Sequence, residues 1–165
     1  MGYTTEFDGQ FTVSPAMRPE HVAYLNKFSE TRRMKRDVTV LAAMPDPLRE
    51  AVGLPLGTEG EYFVGGLGDL GEECDPSIID HNVPPDSQPG LWCDWMVTEN
   101  IYDNDVIEWS GNEKFYDYVE WIYYLRDRFF QPWGYTLNGI VMWQGECDSD
   151  SGDISIEENE INVWR

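Results

Sequence analysis

The sequence predicts an α+β fold: an antiparallel sheet of about five to seven strands with two main helices packed on one face, in a single domain spanning residues 1–165. Two observations support a packed core: hydrophobic residues make up 41% of the chain, and it contains seven Trp, nine Tyr and seven Phe. Acidic disordered chains are poor in aromatic residues, so the net charge of −20 does not argue for disorder here. The third observation is that segments with a period of two surround two segments with a helical period.

Residues 3–13 form the clearest predicted strand. Their apolar and small residues alternate with polar ones, which indicates one buried and one solvent-facing side, as in an antiparallel sheet. The predicted buried row consists of Tyr3, Thr5, Phe7, Gly9, Phe11 and Val13. Gly9 lacks a side chain to bury, so its position predicts a bulge or a close crossing of two backbones.

The first predicted helix begins at Pro19 and carries an apolar stripe of Tyr24, Leu25 and Phe28. A basic cluster is expected at its C-terminal end, made of Arg32, Arg33, Lys35 and Arg36. One interpretation is that these cations complement the helix dipole. The other is an anion site in which the cluster works with an aromatic wall such as Trp92, because guanidinium groups suit phosphate and carboxylate.

The middle of the chain is mostly irregular. A short helix is predicted after Asp46, and residues 61–64 are predicted to form a short strand. The glycine-rich run 65–71 lacks the Lys-Ser/Thr of a phosphate-binding loop and is interpreted as a surface loop. The proline-rich segment 76–90 is a long loop, and its adjacent Asp80 and His81 do not by themselves indicate a catalytic pair.

Residues 91–98 and 106–109 are predicted to be paired strands, followed by a second helix that starts with a capping box at Ser110 and Glu113. This helix is predicted to end at Pro132 and Gly134. Its aromatic residues extend beyond one face, so the helix is either covered on two sides or exposes rings to a partner. The residues that widen the apolar arc are Trp121, Tyr123, Tyr124 and Phe130.

Two further strand segments close the chain, residues 137–143 and 153–164. The apolar residues change parity within the second segment, which predicts a turn or bulge at 157–160. The acidic run 148–153 resembles a calcium loop, but its glycine is at the fifth position instead of the sixth. A solvated hairpin turn is the favoured interpretation, and weak cation binding is the alternative.

The charge is distributed unevenly along the chain. Residues 1–57 contain seven acids and seven bases, whereas residues 58–165 contain 24 acids and four bases. This excess favours cationic partners and opposes direct binding to nucleic acid or to an anionic membrane. The acidic face expected to contact a partner is represented by Glu146, Asp148, Asp150, Asp153, Glu157 and Glu158.

The remaining composition predicts a cytoplasmic protein without a metal or cofactor. Cys74, Cys93 and Cys147 are an odd number of widely spaced cysteines, which favours reduced thiols. Three scattered Cys and two His do not form a zinc pattern. The longest apolar stretch is far shorter than the roughly 20 residues of a membrane span, and no secretion signal is visible.

Several short strings resemble a family of small acidic proteins of bacteria and phages that is described as uncharacterised. They are residues 30–36 (ETRRMKR), 89–93 (PGLWC), 113–116 (EKFY) and 132–139 (PWGYTLNG). The resemblance would extend over most of the chain. It implies no activity, cofactor or catalytic residue.

Three functions are compatible with these features. The first is a non-enzymatic acidic protein that engages a basic protein surface, in its most specific form as a nucleic-acid mimic of the kind some phage inhibitors use. The second is a small enzyme or binding domain for an anionic metabolite, built on the basic cluster. The third is a structural or assembly subunit with the aromatic second helix as its interface. No catalytic motif names a reaction, and the oligomeric state is not predicted.

Overall fold

The computed structural model describes residues 2–66 and 76–165. Backbone contacts group the chain into two compact units. The first, which we call the sheet unit, comprises Met1–Met17 and Asp94–Arg165; the second, the helical unit, comprises Arg18–Cys93. The single-domain organisation stays a prediction.

The sheet unit contains a six-stranded, fully antiparallel sheet with the strand order β4-β5-β1-β6-β7-β8. The helical unit contains a second, two-stranded sheet formed by β2 and β3. The predicted α+β class is therefore confirmed. The strands are β1 (Thr5–Ser14), β2 (Lys35–Arg36), β3 (Ile78–Asp80), β4 (Trp95–Thr98), β5 (Asp105–Trp109), β6 (Thr136–Gly145), β7 (Ser151–Glu157) and β8 (Glu160–Trp164).

Strand β1 lies in the middle of the sheet and pairs with β6 along its whole length, from Thr5 opposite Gly145 to Ser14 opposite Thr136. The predicted alternation holds at Phe11 and Val13, which are fully buried whereas their polar neighbours are not. It is wrong at Tyr3, which precedes the strand and is 37% exposed. At Gly9 the predicted close crossing is confirmed. Its φ is +107°, and a Cβ there would collide with the carbonyl oxygen of Ile140 on β6.

One face of the sheet is covered by aromatic side chains, with Phe7 at their centre. The Phe7 ring centroid lies 5.5 Å from that of Trp95 and 4.9 Å from that of Tyr118, both edge-on. Phe115 is 5.7 Å away and completes the cluster. Edge-to-face rings at these separations stabilise the core beyond the area they bury, so this cluster holds the second main helix against the sheet.

That helix, α4, spans Tyr118–Leu125 and continues as a π-helical turn over Arg126–Phe130. The prediction that it starts at the Ser110 capping box is wrong. The backbone at Asp117 is left-handed, with φ of +57°, which separates the preceding segment from the helix. Phe115, which the capping box would place inside the helix, instead reaches the core from this non-helical segment.

The aromatic arc of this helix is covered. Trp121, Tyr124 and Phe130 are buried, and Tyr123 is the member that stays exposed, at 36%. Coverage on two sides, one of the two alternatives, is therefore confirmed for three of the four rings.

The C-terminal strands confirm the predicted turns. Residues 137–143 fall within β6, and the predicted segment 153–164 divides into β7 and β8. Glu158 and Asn159 have positive φ values of +48° and +68° and form the tight connection between them, at the place where the parity change required a turn. Residues 148–150 of the acidic run lie in the β6–β7 connection, as the hairpin interpretation required, whereas residues 151–153 begin β7. The predicted strand 91–98 is shorter, with β4 covering Trp95–Thr98 only.

The helical unit begins with α1 (Pro19–Glu30), which starts at the predicted proline and buries Tyr24, Leu25 and Phe28. Two short helices follow, α2 (Val38–Leu41) and α3 (Pro47–Ala51). The predicted strand over residues 61–64 is wrong, because this segment is turn and irregular structure after a 3-10 turn at Thr58–Gly60. Most of the predicted glycine loop, from residue 67 to 71, lies outside the described residues. Packing of both main helices on one face of one sheet stays a prediction.

Across the described ranges, the helices are too short or too polar to cross a bilayer.

The crossing of β1 and β6 yields a stability prediction. Gly139 has a φ of +136°, and a Cβ there would overlap the carbonyl oxygen of Gln10. Gly139→Ala should therefore lower the free energy of unfolding by about 2–4 kcal/mol, through both backbone strain and overlap. The matched control is Gly111→Ala, where φ is +88° but no atom lies within 4 Å of the added Cβ; it should cost about 1 kcal/mol. Urea unfolding of both variants measures the difference, and equal costs would show that the crossing is not tight.

Candidate functional site

The basic cluster does not lie on the last turn of α1, because that helix ends at Glu30. Arg33 is 2% exposed, and its guanidinium donates to the main-chain oxygens of Phe63 at 2.8 Å and Glu61 at 2.7 Å. It also lies 4.2 Å from the ring centroid of Phe28. These contacts tie the irregular segment 61–64 to α1 and give Arg33 a structural role.

The other three cations of the cluster also have partners in the helical unit. Arg36, 2% exposed, donates to Ser77 Oγ at 2.8 Å. Lys35 forms ion pairs with Glu59 at 3.3 Å and Asp86 at 2.8 Å. Arg32 donates through Nε to the main-chain oxygen of His81 at 3.0 Å and through Nη2 to Asn82 at 3.3 Å.

The geometry of the basic cluster is thus that of an internal brace. Each of its four cations engages main-chain or side-chain oxygens of its own unit, and two are buried. Trp92, the proposed aromatic wall, is half-buried. Anion binding by this cluster stays a prediction.

The predicted acidic face is divided by the structure. Asp153 and Glu157 lie on β7 and share the face of the sheet opposite the aromatic core. The other four lie in the connections. Asp150 accepts from the Tyr3 hydroxyl at 2.8 Å and from Trp143 Nε1 at 3.1 Å, and so helps to build the β6–β7 turn. Glu146, Asp148 and Glu158 are exposed in the β6–β7 and β7–β8 connections.

The face that carries Asp153 and Glu157 has a distinctive composition. We call it the open face and define it by six acids and three exposed apolar residues. The acids are Glu6, Asp8, Glu108, Asp153, Glu157 and Glu160, and the apolar residues are Ile140, Met142 and Trp164.

Acidic and apolar side chains alternate across the strands of the open face. Asp8 on β1 is opposite Met142 on β6, Met142 is opposite Asp153 on β7, and Asp153 is opposite Trp164 on β8. Neighbouring strands are about 4.8 Å apart, so these four side chains form a row about 14 Å long. Met142 is 50% and Trp164 64% exposed, so both apolar side chains are accessible to a partner.

Basic residues are missing from this surface. The six strands of the large sheet, all within the described residues, contain no Lys or Arg. Arg165 follows β8, but its guanidinium lies 5.5 Å from the ring of Trp143, on the aromatic side. The carboxylates of the open face are therefore not neutralised by cations of their own sheet.

Sequence reasoning missed most of the open face. Asp8 and Glu108 are single acids within predicted strands, and only the acidic runs near the C-terminus predict an acidic face. The polar parity of residues 3–13 was visible, and it did indicate a solvent-facing side. What it could not show is that Asp8 lies beside Met142, more than 130 residues away along the chain.

The shifted pKa values in the sheet unit have structural causes away from the open face. Burial raises the pKa of Tyr118 to about 12 on the aromatic side. Burial also raises the pKa of the Asp94 carboxyl, against hydrogen bonds from Asn112 and Ser110. Hydrogen bonds with Ser149 lower the pKa of the exposed Cys147 thiol.

Within residues 2–66 and 76–165, no three His, Cys, Asp or Glu side chains are placed to hold a metal ion.

The chain matches no protein-family model, and comparison with curated proteins and with solved structures found no similar protein. The resemblance to small acidic bacterial and phage proteins therefore stays a prediction.

The brace formed by Arg33 yields a second stability prediction. Arg33→Met should lower the free energy of unfolding by about 2–3 kcal/mol, because it removes the donor to the buried Phe63 carbonyl oxygen and one of the two donors to that of Glu61, which Gln88 Nε2 also engages at 2.6 Å. The control is Arg18→Met, whose side chain is 72% exposed and paired with Glu20; it should cost at most about 1 kcal/mol. Chemical denaturation followed by circular dichroism tests both. A small cost at Arg33 would return this residue to the candidates for anion binding.

Proposed function

We propose that this chain is a non-enzymatic acidic binding protein that engages a basic protein surface through the open face of its six-stranded sheet. The observation that carries the proposal is the alternation of unneutralised carboxylates with exposed Met142 and Trp164 on a face without Lys or Arg. Such a face complements a partner that presents cations around apolar side chains. Two copies of the open face would repel each other, which argues against self-association through it.

The composition of the open face is closer to that of an ordinary protein-binding surface than to the charge pattern of a nucleic acid. The sheet is about 24 Å wide from β4 to β8, so its six carboxylates supply one charge per about 4 Å. Duplex DNA carries one per about 1.7 Å of its axis and exposes no aliphatic side chains. Mimicry of nucleic acid remains the more specific form of the proposal, and a competition experiment with nucleic acid on the partner would reveal it.

The two other functions have less support. An enzyme or metabolite-binding domain built on Arg32, Arg33, Lys35 and Arg36 requires cations that here brace the helical unit. An assembly subunit that uses the aromatic helix α4 requires rings that are mostly buried.

A cytoplasmic location belongs to the same proposal. The odd number and wide spacing of Cys74, Cys93 and Cys147 support it, because such cysteines favour reduced thiols. Cys74 lies outside the described residues.

The proposal predicts that the positions of the carboxylates, as well as their number, determine how tightly the chain binds a basic partner. A triple variant on the open face, Asp153→Asn/Glu157→Gln/Glu160→Gln, should bind a capped hexa-arginine peptide at least tenfold more weakly than the original chain, about 1.4 kcal/mol. Binding of the original chain should also weaken between 0.01 M and 0.1 M salt, as the Debye length falls from about 30 Å to about 10 Å. Isothermal titration calorimetry at both salt concentrations is the measurement.

The control removes three exposed acids from elsewhere in the sheet unit: Glu99→Gln/Asp103→Asn/Glu113→Gln. Both triple variants have the same net charge, so a difference between them reports the open face alone, and the control should lose less than twofold. Equal losses would reduce the effect to bulk charge and overturn the proposal. A gel shift showing that the original chain binds duplex DNA at low salt would contradict it as well.

A further inference from the structure

Strand β8 forms one edge of the six-stranded sheet. It pairs with β7 along all five of its residues, from Glu160 opposite Glu157 to Trp164 opposite Asp153. On its other side, no strand of the described ranges is paired with it. An edge strand presents a row of main-chain N–H and C=O groups that can pair with a strand of another chain.

The ladder between β6 and β7 shows which way the main-chain groups of β7 point. Gly145 N donates to Asp150 O at 2.8 Å, where the two strands meet their connection. In an antiparallel ladder every second pair exchanges hydrogen bonds, and the register from this pair onward is regular. The main-chain groups of Ile154 and Ile156 therefore bond to β6, and the residues that alternate with them bond to β8.

This parity fixes the outward groups of β8. Glu160, Asn162 and Trp164 are opposite the residues of β7 that bond to β8. Ile161 and Val163 alternate with them, so their N–H and C=O groups point away from the sheet. The two-residue turn between β7 and β8 gives the same result, because such a turn closes on a hydrogen-bonded pair. Within the described part of the chain, no hydrogen bond engages these outward groups.

The edge lacks the features that usually prevent pairing with another chain. Natural edge strands are often protected by a proline, a lysine or a bulge. Strand β8 contains neither proline nor lysine, and its register with β7 is regular. Its one charged residue is Glu160, in a chain of net charge −20. The edge therefore disfavours an acidic strand, such as that of a second copy, and favours a basic one.

We infer that β8 accepts an extended segment of the basic partner as a seventh, antiparallel strand in which cationic and apolar residues alternate; the inference rests on the proposed function. Main-chain hydrogen bonds to Ile161 and Val163 supply the pairing, and the side chains on the two faces supply the specificity. The antiparallel direction continues the pattern of all the other pairs in this sheet.

The two faces of β8 determine the sequence pattern of the added strand. On the open face its side chains lie beside Glu160 and Trp164, which are both exposed. Glu160 is directly opposite Glu157, and this like-charge pair is relieved by a cation next to it. A guanidinium next to Trp164 stacks on the indole ring. On the aromatic face the neighbours are Ile161 and the half-buried Val163, which favour aliphatic side chains.

The experiment uses the capped peptide acetyl-Arg-Val-Arg-Val-Arg-amide as the probe. In the inferred pairing its valine N–H groups face β8 and its arginine N–H groups face solvent. One analogue is N-methylated at both valines, and the control is N-methylated at the second and third arginines, so charge and composition are equal. Calorimetry with the full chain should show binding weakened about tenfold or more by the valine methyl groups, and less than about twofold by the arginine methyl groups.

Amide hydrogen exchange of the full chain gives a second measurement. In the free chain, the Ile161 and Val163 amides should exchange faster than that of Asn162, which bonds to β7. Saturation with the peptide should slow both by about tenfold or more. Equal weakening by the two methylated peptides would overturn the inference. So would protection of Ile161 and Val163 that increases with the concentration of the free chain, because a second copy would then occupy the edge.

A protein variant tests the same edge from the other side. Val163→Pro removes an outward N–H and leaves the β7–β8 ladder intact, so it should bind the peptide about fivefold more weakly or worse. Val163→Thr keeps the N–H and should change binding less than about twofold. Dispersed amide spectra show whether each variant is folded, and the methylated peptides test the inference even where the proline variant is not.

The triple variant of the open face separates this inference from the proposed function. Weaker hexa-arginine binding by the triple variant, together with equal binding of the two methylated peptides, would retain the proposed function and reject the added strand. If the triple variant binds hexa-arginine as tightly as the original chain, the proposed function fails, and the inference that rests on it fails as well.

Discussion

The register between β1 and β6 is the constraint on which the rest of the sheet unit depends. Ten consecutive residues pair across these two strands, and side chains alternate between the two faces with a period of two. A slip of one residue would turn Phe7 and Phe11 to solvent and drive Asp8 into the aromatic core. Gly9 and Gly139 oppose such a slip, because each stands where a Cβ would meet a carbonyl oxygen of the other strand.

This alternation explains how a chain of net charge −20 folds around an aromatic core. The rings around Phe7 gather on one face, where they exclude water, and six carboxylates of the same strands stay on the other, where water screens them. In the helical unit, by contrast, several charged side chains are buried and hydrogen-bonded. There Arg33 and Arg36 are buried among carbonyl and hydroxyl oxygens, and the scarce cations are used to hold irregular segments together.

The same register produces the candidate site. The strand order places β6 and β7 between β1 and β8, so Met142 and Asp153 lie between Asp8 and Trp164. The two ladders of β1 differ in length, since it pairs with ten residues of β6 but with only three of β5, and the continuous row lies on the side of the longer ladder.

The sequence by itself determined the α+β class, the alternating first strand, the start of α1 at Pro19 and the turns of the C-terminal hairpins, because each of these depends on neighbouring residues. Where local signals competed with packing they failed. No helix starts at the capping box of Ser110, because a left-handed residue at Asp117 lets Phe115 enter the core from a non-helical segment. The cluster around Arg33 forms an internal brace and not a surface at a helix end. Only the tertiary structure decided the strand order and the rows across it, since cross-strand neighbours are set by pairing between distant segments and leave no trace in local periodicity.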